Sequence, residues 1–128
     1  MSNPAAPFVA QHSVPKGVVA TRWWWVRHAP VPKEEDKGCI YGQKDLGCDT
    51  SDRVVFDAVG KILPRNAVWC ASNLKRTHQT AAAIWAAGFP KPDQMPHERD
   101  IAEQNLGAWQ GLNRADLDRK STRLNSSH

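Results

Sequence analysis

The sequence predicts an α/β domain organised around a parallel sheet. Two short, bulky apolar runs, residues 21–27 (Thr-Arg-Trp-Trp-Trp-Val-Arg) and residues 67–71 (Ala-Val-Trp-Cys-Ala), have the length and composition of buried strands. Each precedes a segment whose apolar residues recur at helical spacing. Strand, helix, strand, helix is the order that produces parallel pairing with crossover helices.

Residues 1–20 are rich in Ala, Pro, Val and Ser and read as a flexible lead-in. The first strand is stopped by Pro30 and Pro32. Residues 29–50 hold Pro, Gly and charge, so they read as a long loop; loops of that length within a domain are usually functional or mobile. Val54, Val55, Ala58, Val59, Ile62 and Leu63 follow the possible caps Thr50 and Ser51, and Pro64 ends that helix. After the second strand, Leu74 to Ala87 forms an alanine-rich helix closed by Gly88 and Pro90. A short extended piece near Gln94–His97 follows, and Asn113 can cap a last helix.

Composition excludes several classes. At 41% apolar and 23% charged the chain is neither disordered nor fibrous. No apolar run approaches the ~20 residues of a membrane helix. The first twenty residues lack the apolar core of a secretory signal. The formal charge of +4 rests largely on Arg119, Lys120 and Arg123. Without them 14 basic groups face 13 acidic ones, so the charge is poor evidence for a nucleic-acid partner. Cys39, Cys48 and Cys70 are odd in number and lack Cys-x-x-Cys spacing. A disulfide framework or zinc site is not expected, and a reducing cytoplasm is.

In a parallel sheet the carboxyl ends of strands open into the crevice where chemistry occurs. The first strand ends at Arg27-His28. A neutral imidazole there can attack phosphorus beside a guanidinium that holds phosphate oxygens. On the dipeptide alone, the polar end of a strand is the simpler reading. The second strand runs into Ser72-Asn73-Leu74-Lys75-Arg76-Thr77-His78-Gln79-Thr80-Ala81. Arg76 lies in the first turn of a helix, where a cation is unfavourable unless an anion is shared between it and the helix end. A third stretch, Glu103 to Gly111, sets one carboxylate before a Gly-x-Trp-x-Gly turn.

Taken together, Val26-Arg27-His28-Ala29, the Ser72–Ala81 stretch and the Glu103–Gly111 stretch resemble the histidine phosphatase superfamily, which includes phosphoglycerate mutases and α-ribazole phosphatases. The resemblance covers residues 21–118. It implies a three-layer α/β/α sandwich with a mostly parallel sheet, phosphoglycerate mutase-like. It also implies that His28 is the nucleophile that becomes a phosphohistidine, that Arg27 and Arg76 clamp the phosphoryl group, and that Glu103 protonates the leaving oxygen. Phosphoryl transfer needs mostly positioning and charge neutralisation. The resemblance implies no metal and no cofactor, and a small phosphorylated substrate without nucleic acid or membrane as partner.

The departures are specific. Ala29 stands where the family has glycine, and Gln110 where it has a glutamate outside the catalytic set. The family's second catalytic histidine, far beyond the third motif, has no counterpart, because His128 lies outside any such context. The closing string, residues 119–128, resembles a translated cloning adapter. The expectation is therefore an incomplete domain: residues 1–20 a lead-in, 21–118 the N-terminal part of a histidine phosphatase domain, 119–128 a non-native tail. Phosphomonoester hydrolysis through phosphohistidine is the leading function for the full-length parent, with weak or no activity in this chain. Mutase-type transfer and a non-catalytic anion-binding fragment are the alternatives.

Other residues carry simpler expectations. Trp23, Trp24 and Trp25 read as a central strand buried on both faces rather than a base-stacking platform. His78 and His97 read as surface histidines, and Lys33-Glu34-Glu35-Asp36-Lys37 as a solvated charge run bordering the pocket.

Overall fold

A computed structural model describes residues 14–119. Helices dominate: α1 spans Lys33–Asp36, α2 Arg53–Ile62 and α3 Lys75–Ala86. Single 3-10 turns form at Arg99–Ile101 and Gly107–Trp109, and residues 114–119 are helical.

Each helix begins and ends for identifiable reasons. The Asp52 carboxylate accepts the Val55 N–H, so the cap of α2 is Asp52 and not Thr50 or Ser51. Residue Leu63 is already extended, as expected of a residue before Pro64. The side-chain oxygen of Asn113 accepts the N–H groups of Ala115 and Asp116, which starts the last helical stretch as the sequence suggests.

The helices α2 and α3 pack on one another. Their core is Ala29, Phe56, Ile84 and Phe89, with Val59, Leu63, Trp69, Ala83 and Trp85 packed around it. Gly60 lies against this core: a Cβ there would meet the Phe89 Cβ at 3.8 Å. The core-facing residues of α2 are Phe56, Val59 and Gly60, with Leu63 just past its end. Val54 and Val55 face outward, at 79% and 50% exposure.

Neither predicted strand forms a ladder, and only Ala71, at the end of the second, is paired. Among the described residues, bridges form only between Ala71 and His97 (parallel) and between Cys39 and Asn113 (antiparallel). Residues 21–27 and 67–70 enter no ladder. A strand is defined by the neighbour that takes up its N–H and C=O groups, and in these two runs, among the described residues, only the 96–98 segment does so, for Ala71. Each run is covered on one face only. Trp69 packs on Trp85 and Phe89, with ring centroids 5.6 and 5.3 Å away, while Val68 is 92% exposed. The expected two-sided burial of the tryptophan run is likewise corrected: Trp24 is half-buried, but Trp23 and Trp25 stack on each other, exposed. Residues i and i+2 of an extended chain share a face, and this face has no covering layer.

Candidate functional site

The loop between the first extended run and α2 is pinned on two sides. Its middle joins the third motif: Ile40 N–H donates to the Leu112 carbonyl and Gly111 N–H to the Ile40 carbonyl. Its end joins α3: Cys48 N–H donates to Gln79 Oε1, and Asp45 accepts the N–H of Lys75 at 2.6 Å. The anion at this helix N-terminus is thus the chain's own Asp45 carboxylate, which favours the dipole. Near the loop's end, hydrogen bonds from the Ser51 side chain and backbone hold the Asp49 carboxyl below its ordinary pKa of 3.8.

His28 lies half-buried where the first run turns. Its Nδ1 is 2.6 Å from the Ala29 carbonyl oxygen. A carbonyl only accepts, so Nδ1 carries the hydrogen. In the neutral ring the lone pair is then on Nε2. That nitrogen is buried and without a hydrogen-bond partner among the described residues.

Arg76 is fully buried. Its terminal nitrogens donate to the carbonyls of Lys44 and Gly42, both at 2.7 Å. Its Nε has no partner among the described residues, and no carboxylate there pairs with it. Tyr41 links the two: its ring lies edge-on to His28, centroids 6.5 Å apart, and the Arg76 guanidinium sits 4.9 Å over it. Arg114 lies over the same ring at 5.6 Å.

Arg27 and Glu103 are placed differently. Arg27 is exposed, and no described residue bonds it. Glu103 is exposed; its side chain accepts the Gln104 N–H, and its backbone carbonyl accepts from the Gln43 amide at 3.0 Å. Glu103 is therefore tied to the loop that Arg76 holds, one residue from Gly42. A shallow cleft of about 280 Å³ lies beside this junction, lined by Gln43, Asn73, Leu74, Arg99 and Ala102.

Two expectations change, and two residues are new. Asp36 is not a solvated charge: it is buried, accepts the Gly38 N–H and takes both terminal nitrogens of Arg114 at 3.2 Å. His78 is half-buried, its Nε2 on the Ser72 carbonyl at 2.8 Å and its ring 4.3 Å from that of His97. Tyr41 and Arg114 were not singled out in the sequence. The signal for Arg114 was its place after the Asn113 cap; a lone tyrosine in a loop offers none.

The comparisons with known proteins follow this geometry. The sequence model described as histidine phosphatase superfamily (branch 1) matches residues 23–127. Among solved structures, the chain is similar to TTHB049 from Thermus thermophilus (22% identity, TM-score 0.55, covering 77% of this chain and 52% of that one). It is similar to YhfR from Bacillus stearothermophilus (20% identity, TM-score 0.57, 75% and 46%). It is also similar to a mycobacterial glucosyl-3-phosphoglycerate phosphatase in complex with VO3 (25% identity, TM-score 0.55, 76% and 48%). No curated protein matches. The chain spans about half the length of these solved structures.

Proposed function

The chain belongs to the histidine phosphatase superfamily, and from that premise we propose that its parent protein hydrolyses small phosphomonoesters through a phosphohistidine at His28. One arrangement carries the reading. Around Tyr41 stand an imidazole nitrogen with a free lone pair and a buried guanidinium without a carboxylate partner among the described residues. A buried cation of this kind favours a bound anion, because burial weakens the solvent screening that would otherwise stabilise it.

In the proposed reaction the Nε2 lone pair forms a bond to phosphorus while the ester P–O bond breaks. The leaving oxygen takes a proton from Glu103. Water then attacks the phosphohistidine, giving a proton back to the Glu103 carboxylate, and the P–N bond breaks to release phosphate and free imidazole. Arg76 supplies Nε–H and the second hydrogens of its terminal nitrogens to the phosphoryl oxygens, each charge-assisted contact contributing about 1.5–3 kcal/mol. Arg27, the residue before His28, adds a second guanidinium. The resident chemistry uses no metal or cofactor. The similarity to a glucosyl-3-phosphoglycerate phosphatase favours hydrolysis over mutase-type transfer. The setting is the cytoplasm; no helix among the described residues is long and apolar enough to cross a membrane.

In this reading residues 21–118 are the N-terminal part of the domain, residues 119–128 are a non-native tail, and the chain by itself is weakly active or inactive. The supporting observation is the half-length coverage of the solved relatives together with the uncovered faces of residues 21–27 and 67–70. Acid-quench trapping with a radiolabelled phosphomonoester tests the nucleophile in a full-length version. Label should appear on the His28 imidazole. Equal labelling of His28→Ala would overturn the assignment.

A further inference from the structure

We propose that Thr80 is a positioning residue that fixes the His28 turn, and with it the reactive tautomer of His28, onto the Arg76 turn of α3. The proposal rests on the phosphohistidine reading for its catalytic meaning, but its geometry stands alone. Ala29 N–H donates to Thr80 Oγ1 at 2.9 Å. The same hydroxyl donates to the Arg76 carbonyl at 2.8 Å. Cys48 Sγ lies 3.6 Å from it. A hydroxyl has one hydrogen and two lone pairs. Here the hydrogen goes to the Arg76 carbonyl and a lone pair accepts the Ala29 N–H, while the Cys48 thiol donates to the same Arg76 carbonyl at 3.4 Å. The side chain is buried at 5% exposure, so no water competes.

The residue choice is informative. Thr80 sits mid-helix between Arg76 and Ile84, in a helix that continues Ala81-Ala82-Ala83. Threonine is a poorer helix former than alanine, and a hydroxyl that only bonds back to i−4 contributes little. The long-range bond to Ala29 gives the hydroxyl a task. Ala29 contributes both of its backbone polar groups to the site. Its N–H is held by Thr80, and its carbonyl holds His28 Nδ1 at 2.6 Å. Fixing Ala29 therefore fixes which imidazole nitrogen carries the hydrogen and leaves the lone pair on Nε2. The same hydroxyl ties this turn to the backbone of Arg76, so nucleophile and guanidinium share one anchor.

The test uses ¹⁵N-labelled chain, residues 1–128, as wild type, Thr80→Val and Thr80→Ser. Imidazole ¹⁵N shifts read the His28 tautomer, and hydrogen exchange reads the Ala29 amide. The wild type should hold the Nδ1–H form and a slow Ala29 amide. Valine keeps the shape and removes the hydroxyl, so the Ala29 amide should exchange about tenfold faster and His28 should move toward the Nε2–H form. Serine should restore both. A wild-type tautomer and exchange rate in Thr80→Val would overturn the proposal. So would a wild-type Ala29 amide that exchanges as fast as those of Trp23 and Trp25, a result that needs no variant to fold. Absence of phosphoryl label on His28 with the tautomer effect intact would sink the phosphohistidine reading and leave the Thr80 anchor standing.

Discussion

Arg76 Nη2 meets the carbonyl oxygen of Gly42 at 2.7 Å, with the arginine fully buried. The residue read from sequence as a phosphate clamp also fastens the loop after the nucleophile to α3. Its Nη1 holds Lys44 in the same way, 32 residues away in the chain. One side chain thus fastens two points of the loop and, in the proposed reading, would also hold the phosphoryl group.

Arg76→Lys should therefore destabilise the chain as well as weaken anion binding. An ammonium is a point donor and cannot span two carbonyls and stack on Tyr41 as the planar guanidinium does. Leaving one buried carbonyl without a donor costs about 1–3 kcal/mol. A urea titration should show a lower midpoint with an unchanged slope. An unchanged midpoint would mean that the carbonyl contacts contribute nothing to stability.

The same loop makes a second, sterically determined contact. Gly42 has φ of +49°, and a Cβ there would lie 2.3 Å from Gln110 Oε1 and 3.1 Å from the Gln104 carbonyl. Gln110 Oε1 accepts the N–H of Gln43 at 2.8 Å, which draws the amide close. Gly42→Ala should cost about 1–3 kcal/mol through strain and displacement of that amide. Gln110→Ala should be less damaging in the Gly42→Ala background than alone, because the two changes share one contact. Additive effects in a double-mutant cycle would show that the clash is relieved elsewhere.

Much of the helical frame was legible because its determinants are local. The ends of α2 and α3 follow from Pro64, Gly88 and the apolar spacing, and the Asn113 cap is a short-range signal. What escaped the sequence depends on contacts between distant segments. Nothing near Asp36 announces Arg114, 78 residues on, and nothing near Thr80 announces Ala29. The strands were legible only in part: apolar runs report that a segment can be buried, whereas pairing depends on distant segments, and of these two runs only Ala71 is paired among the described residues.

Glu103→Gln separates acid catalysis from a structural role. The carboxylate bonds only its neighbouring Gln104 N–H among the described residues. The link to the loop runs through the backbone carbonyl, which glutamine keeps. In a full-length version, the variant should fold normally and lose about 10²–10⁴ in rate on alkyl phosphates. Nitrophenyl phosphate, whose leaving group needs no proton, should lose far less. Equal losses on both would assign Glu103 to positioning.

The exposed apolar runs predict how the isolated chain behaves. Trp23 and Trp25 are 73% and 74% exposed, and Val19 and Val68 both 92%. They lie in segments that form no ladder among the described residues, and exposed apolar side chains beside unpaired backbone recruit other chains by edge pairing and apolar contact. If the chain is half of a domain, as proposed, residues 1–128 should unfold broadly on heating and bind an apolar-sensitive dye in the native state. Its tryptophan emission should be quenched readily by iodide, and its apparent mass should rise with concentration. Phosphatase turnover should be negligible beside that of a complete relative, since the second histidine that the family resemblance implies has no counterpart here to share in stabilising the transition state. Deleting residues 121–128 should change none of these quantities, because the tail has no apolar periodicity with which to join the core. A sharp cooperative transition, no dye binding and turnover matching a complete relative would mean that the one-sided packing of α2 and α3 suffices for a working enzyme. The half-domain reading would then be wrong.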